Sequence, residues 1–374
     1  MRVSEHGILN CGEPGTCRAI TTFPTVTSLN DATLLATYRV GTTKDSADET
    51  VEFRRSDDGG CTWSAPVSPF GTTVEGIHGS LKVVYVTQMA NEHLIAAALW
   101  VDREAHPGKP LFNDETEGCL PLAILLADSH DLGQTWSPWR VLPLPDAIGP
   151  PSLTSPLLRL PSGKLALSVE TNKSYEDSSR WYQHVVYAYS DDGGQSWGVP
   201  VTVCQDPTAR IFHWDQRAGV CPNGKLVTFT WTYDRETNRY LNVQRRLSSD
   251  EGVTWSTADD LGFADQPSHP AILADGRVVV AWVDRFHTRS IRARLSEKSD
   301  APFLASTEAV IYQQESDIMA TSATERNTGE LLAEMSEWSF GLPYAASLPD
   351  GDVIVVYYEG TVSSMKANWA RLSI

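Results

Sequence analysis

The chain has 374 residues, enough to bury a large core as one big domain or two ordinary ones. Its formal net charge of −17 argues against nucleic acid or an anionic membrane surface as partner, but leaves room for a small anionic ligand in a locally basic pocket. It has no apolar run of the roughly eighteen residues a membrane-spanning helix needs, and its six cysteines show no CxxC pair, which argues against zinc.

The opening MRVSEHGILNCGEPG lacks the apolar stretch of a signal peptide, so the chain is expected to be cytoplasmic, or secreted if a leader has been removed. The cysteines read as small buried hydrophobes, with a Cys11–Cys17 bridge left open. Six hairpins then follow one another with a common grammar: SLNDATLLATYR from Ser28, QMANEHLIAAALW from Gln88, RLPSGKLALSVE from Arg159, VCPNGKLVTFTW from Val220, LADGRVVVAWVD from Leu273 and LPDGDVIVVYYE from Leu348. Each is an apolar strand, a turn rich in Gly, Pro, Asn or Asp, and a second apolar strand. Each leads to a third strand ending in serine, at Ser56, Ser129, Ser190, Ser248, Ser296 and Ser373. Short helical turns near 31–33 and 301–309 leave the chain all-β.

Four of those serines open a second repeat, S-x-D-x-G-x-T/S-W, at 56–63, 129–136, 190–197 and 248–255. The Ser and Asp side chains suit a tight turn because they bond nearby backbone N–H groups. Gly accepts the left-handed backbone, and Trp packs back on the sheet. Six sheets of roughly four strands around an axis describe a six-bladed β-propeller. The last module is one strand short, so residues 2–10 are expected to pair with it and close the ring, making 1–374 a single domain.

The hairpin turns and the S-x-D-x-G turns fall on one face, and the chemistry collects on the other. The stretch FHWDQRAGVCPNGKLVTFTWTYDRE, 212–236, shows this best, since its hairpin brings His213, Asp215 and Arg217 beside Tyr233, Asp234 and Arg235. The same face gathers Arg39, Lys44, Asp45 and Asp48 from the first module, Glu170 and Trp181 from the third, and His269, Arg285 and Arg289 from the fifth. Tyr344 comes from the sixth. Glu170 reads equally as a salt-bridge partner of Lys173, and Arg285 as half of a structural pair with Asp284. Convergence on one funnel is what points to a ligand site, and carboxylates crowded by arginines are what acid–base chemistry uses.

The S-x-D-x-G-x-T/S-W turns resemble the Asp boxes (BNR repeats) of the sialidase, or neuraminidase, superfamily, and the repeat covers nearly the whole chain. The resemblance implies a six-bladed propeller with three arginines gripping a substrate carboxylate. It also implies a Tyr nucleophile helped by a Glu, and an Asp acid/base in a loop of the first blade. It places Asp48 at the acid/base position, with Asp45 as the alternative, Asp215 at the Glu position and Arg289 at the third arginine. Thr22 stands where the first arginine is expected, with Arg18 and Arg39 nearby, and the second has no match before Arg235. Leu342 occupies the place of the Tyr, and Tyr344 follows two residues on, on the same face of a regular strand.

The expectation is an exo-acting glycoside hydrolase releasing a terminal acidic, sialic-acid-like sugar. Asp48 would protonate the leaving oxygen, and Tyr344, deprotonated by Asp215, would attack the anomeric carbon or stabilise its positive charge. Arg217, Arg235, Arg285 and Arg289, with Arg39 and His213 near them, would hold a carboxylate, and Trp181 and Trp214 would stack on sugar faces. The alternatives are a glycosidase using Glu170 and Asp215 as paired carboxylates, a lyase using His213 or His269 as base, and a non-catalytic sugar-binding propeller. No metal or cofactor is called for, and the sequence is silent on oligomeric state.

Overall fold

Strands account for nearly all the regular structure in the computed structural model, which describes residues 1–30, 33–315, 328, 331, 332 and 335–374. They form one seven-stranded sheet and four five-stranded ones. The largest joins two antiparallel modules through one parallel pair, Ile20 with Met365. On one side lie Ile20–Asn30, Thr33–Gly41 and Thr50–Ser56; on the other lie Phe340–Ser347, Val353–Thr361 and Ser364–Ser373. The N-terminal strand Arg2–Asn10 pairs antiparallel with Ser364–Ser373, first strand with last. A 3-10 turn at Ala305–Thr307 falls within the stretch where a short helical turn was expected, while residues 31 and 32 lie outside the described residues.

The second strand of each hairpin is apolar almost without alternation because it is covered on both faces. Leu165–Glu170 and Leu226–Asp234 are buried at every position, and Trp231 is 1% exposed. Burying one such side chain contributes roughly 2–3 kcal/mol. The inner strands of neighbouring modules are stitched by hydroxyls and amides rather than by ladders. Thr27 donates to the Val86 carbonyl at 2.9 Å, Thr87 to that of Leu157 at 3.0 Å, and the Ala345 N–H to that of His269 at 3.3 Å. They surround a cavity of about 360 Å³ to which all six modules contribute a wall.

The four S-x-D-x-G turns are built alike. In the first, Ser56 Oγ accepts from the Gly60 N–H at 2.8 Å and donates to Asp58, which accepts from the Thr62 N–H at 2.8 Å. Asp131, Asp192 and Asp250 repeat the arrangement. Gly60, at φ 100°, sits where a side chain would be strained.

The inner strand Ile77–Ala90 shifts register between Leu81 and Val83, and three other inner strands carry a bulge at the same level, between Thr22 and Thr25, Trp214 and Arg217, and Gly341 and Tyr344. In each of these three a non-glycine residue has a left-handed backbone: Phe23 at φ 50°, Asp215 at 46° and Leu342 at 47°. The bulge spends one extra residue and breaks the period of two. Tyr344 therefore does not inherit the position that Leu342 holds, which is where strict alternation fails as a guide.

Candidate active site

The bulge at Asp215 brings two carboxylates together. Glu170 ends the strand Leu165–Glu170 and is 5% exposed; its Oε1 accepts from Thr154 Oγ1 and from the Gln216 N–H, both at 2.9 Å. The second bond comes from the residue next to Asp215, so bulge and glutamate are tied through the backbone. Asp215 pairs with Arg217 Nη2 at 3.3 Å through Oδ1 and accepts from Gln266 Nε2 through Oδ2. Burial, and after it the negative charge of Asp215, push the Glu170 carboxyl up to about 8. One acid thus stays protonated at neutral pH beside a partner held as a salt bridge, the division that acid–base catalysis needs. Glu170 is not the partner of Lys173, whose Nζ donates to the Ser179 carbonyl at 2.6 Å.

A polar belt runs on from this pair through the other modules. Arg217 donates to Tyr85 at 2.9 Å and to the Thr154 carbonyl. Arg285 donates to Gln266 Oε1 at 2.6 Å and faces Asp265 at 3.5 Å, with Trp338 stacked 4.0 Å from its guanidinium carbon. Asp265 is pushed up to about 6 by burial, against the pull of Arg285. Lys44 donates to the carbonyls of Met335 and Trp338 and to Tyr358 at 3.0 Å. Burial, then Arg285, Arg39 and Lys82, hold its ammonium well below the usual lysine range.

Several residues read from the sequence have other work. Trp181 and Trp214, 2% and 6% exposed, are packed against Phe212, and Trp214 also against Tyr233, so neither presents a face to a sugar. The His213 backbone is bonded at both N–H and carbonyl by the Gln183 side-chain amide, and burial lowers its imidazole to about 4. Arg39 is spent on Thr22, the Lys44 carbonyl and the buried Glu49, and Arg235 on Glu117. Arg289 is half-buried, with its carbonyl bonded to the Gln314 N–H at 3.0 Å. Asp48 is exposed and closes its own loop onto Thr42, whereas Asp45 is locked by Lys82 at 2.7 Å and Arg103 at 2.8 Å. Asp284 pairs with His287 rather than with Arg285. Cys11 and Cys17 are free thiols.

Tyr344 and His269 are neighbours, stacked at 4.5 Å, and the Tyr85 ring lies 6.1 Å from that of Tyr344. Burial lowers His269 to about 3 and pushes the Tyr344 phenol far above its ordinary value. Among the described residues no hydrogen bond joins Asp215 to Tyr344; the two oxygens of Asp215 belong to Arg217 and Gln266. The proton relay expected between them is not made.

Sequence reasoning missed Tyr85, Gln266, Asp265, Lys82 and Arg103. Lys82 had a signal: a lone lysine inside LKVVYV must find a buried partner, and it finds Asp45 and Glu49. Gln266 had none, because an uncharged amide before a proline carries no pattern. Among the described residues no group of three or more His, Cys, Asp or Glu could hold a metal ion.

The sequence matches no protein-family model and no curated protein. Solved structures do resemble it. A Dyadobacter fermentans protein of unknown function aligns over 100% of both chains at 19% identity and a TM-score of 0.70. The intramolecular trans-sialidase of Ruminococcus gnavus aligns over 96% of each at 14% identity and 0.65. An α-L-arabinanase of Penicillium chrysogenum, solved with arabinobiose, aligns over 97% of each at 18% and 0.64. The fold is that of the sialidase-like β-propellers.

Proposed function

We propose that this sialidase-like propeller is a glycoside hydrolase in which Glu170 is the proton donor and Asp215 the partner carboxylate. The observation that carries this is a buried glutamic acid raised to about 8 beside an aspartate held by Arg217. Glu170 protonates the leaving glycosidic oxygen. Asp215 either receives the anomeric carbon or activates a water against it. The arginines around the pair polarise the site and favour an acidic sugar. In this reading the six modules close into one ring, with 1–374 as a single domain. The pairing of first and last strands and the six-walled cavity support that arrangement.

A sialidase-type reaction is the second reading. The likeness to the Ruminococcus gnavus enzyme and the placing of Arg217 and, through Gln266, Arg285 about Asp215 favour it. In it Tyr344 is the nucleophile and Asp48 the acid. A panel of 4-nitrophenyl glycosides, neutral and acidic, assayed with Glu170→Gln, Asp215→Asn and Tyr344→Phe separates the two. Loss of turnover in the carboxylate variants alone supports the pair; loss in Tyr344→Phe with survival of Glu170→Gln sinks it.

A further inference from the structure

Asp215 is held from two sides, and one holder lies in a different module. Gln266, 3% exposed, starts the short strand Gln266–Pro267, and its amide bridges Arg285 and Asp215. Its orientation is fixed by chemistry. A guanidinium has donors only, so the amide oxygen must face Arg285 and the NH2 must face Asp215. Arg285 cannot easily move away from this contact. Asp265 faces it, the Trp338 ring stacks on it, and the Trp338 carbonyl is pinned by Lys44 at 2.8 Å. Gly341, at φ 152°, leaves the space it needs, since a Cβ there would collide with its Nη2.

We propose that Gln266 is a positioning residue for Asp215: it supplies the N–H that holds the second carboxylate oxygen, and Arg285 sets which way that N–H points. The proposal rests on the reading of Glu170 and Asp215 as the catalytic pair. A carboxylate on a left-handed bulge needs an external partner to fix its plane. Arg217 holds Oδ1 alone, which leaves rotation about the Cβ–Cγ bond open; Gln266 closes it.

Gln266→Glu is the informative variant. It keeps an acceptor for Arg285 and withdraws the donor from Asp215 at neutral pH. Protonating the introduced carboxyl restores an O–H donor in nearly the same place. With the 4-nitrophenyl glycoside hydrolysed fastest by the parent, kcat at pH 7.5 should fall about 10- to 100-fold with KM little changed. It should recover toward the parent as the pH is lowered to 5, while Gln266→Leu stays impaired throughout. Parent-like turnover in Gln266→Glu at pH 7.5, or an equal loss at both pH values, would overturn the proposal. Glu170→Gln and Asp215→Asn run alongside: if they keep turnover, the pair reading itself has failed. A double-mutant cycle of Gln266→Leu and Asp215→Asn in urea unfolding tests the contact without any substrate. Coupling between the two is expected, and strict additivity would overturn the contact whatever the activity shows.

Discussion

Replacing Glu170 by glutamine should stabilise the protein, and do so more as the pH rises. The unfolded chain ionises this side chain near 4.5, but the folded protein only near 8, because burial and the charge of Asp215 oppose the carboxylate. Between those values the native state holds the extra proton, so its contribution is complete below about 4.5 and gone by about 8. At about 1.4 kcal/mol per pH unit the gap corresponds to roughly 5 kcal/mol at most. Glutamine has the shape of the protonated acid and keeps an oxygen for Thr154 and the Gln216 N–H, so Glu170→Gln removes the penalty without opening a cavity. An unfolding entropy of about 2.1 cal/mol/K per residue makes 1 kcal/mol worth about 1.3 °C in a chain of this length. The melting temperature of the variant minus that of the parent should therefore be near zero at pH 4.5 and rise to about 6 °C at pH 8. Differential scanning calorimetry in matched buffers measures it, and titrating groups remote from the pair cancel in the difference. A difference that is flat with pH, or that falls, would refute the assignment of Glu170 as a neutral buried acid.

The same variant, and Asp215→Asn, should lower turnover by about 10²- to 10⁴-fold in a stopped glycoside assay, while far-ultraviolet circular dichroism stays unchanged. Asp48→Asn should leave turnover close to the parent, because Asp48 is an exposed loop-closing group; a loss of orders of magnitude would restore it as the acid. Glu49→Ala should cost roughly 3–5 kcal/mol in urea unfolding, since it leaves the buried Arg39 without its carboxylate, while Lys82 and Arg103 keep Asp45. Acid should destabilise the chain in two stages that a pH series of melts can resolve. His213 and His269, lowered to about 4 and about 3 by burial, stay neutral in the folded protein while the unfolded chain charges them below about 6.5, so stability drops there first. Asp131 and Asp250, held down to about 2 chiefly by the Thr135 and Thr254 hydroxyls, lose their contribution only as the pH falls from 3.8 through about 2.

Much of the fold is local chemistry and could be read directly. Ser, Asp, Gly and Thr at fixed offsets specify a turn that closes on itself, and the turns at Asp58, Asp131, Asp192 and Asp250 are built as their spacing demanded. The pairing of Arg2–Asn10 with the last strand was also legible, because a module one strand short leaves an edge to be covered. Glu170 and Asp215 were both in view as candidates, since each ends or interrupts an apolar strand with a charge.

What the residues do for one another was not legible. Trp181 and Trp214 look the same in a sequence whether they face a ligand or a core, and a third aromatic, Phe212, decides for the core. Arg217, Arg235, Arg285 and Arg289 read as carboxylate clamps, but Arg217, Arg235 and Arg285 find acidic or hydroxyl partners from their own module or another. A bulge of one residue moved Tyr344 off the face that alternation assigned it. The sequence by itself determined the modules, because turns and apolar runs depend on near neighbours. Tertiary structure alone decided which carboxylate keeps its proton, because that depends on burial and on charges brought in from distant strands.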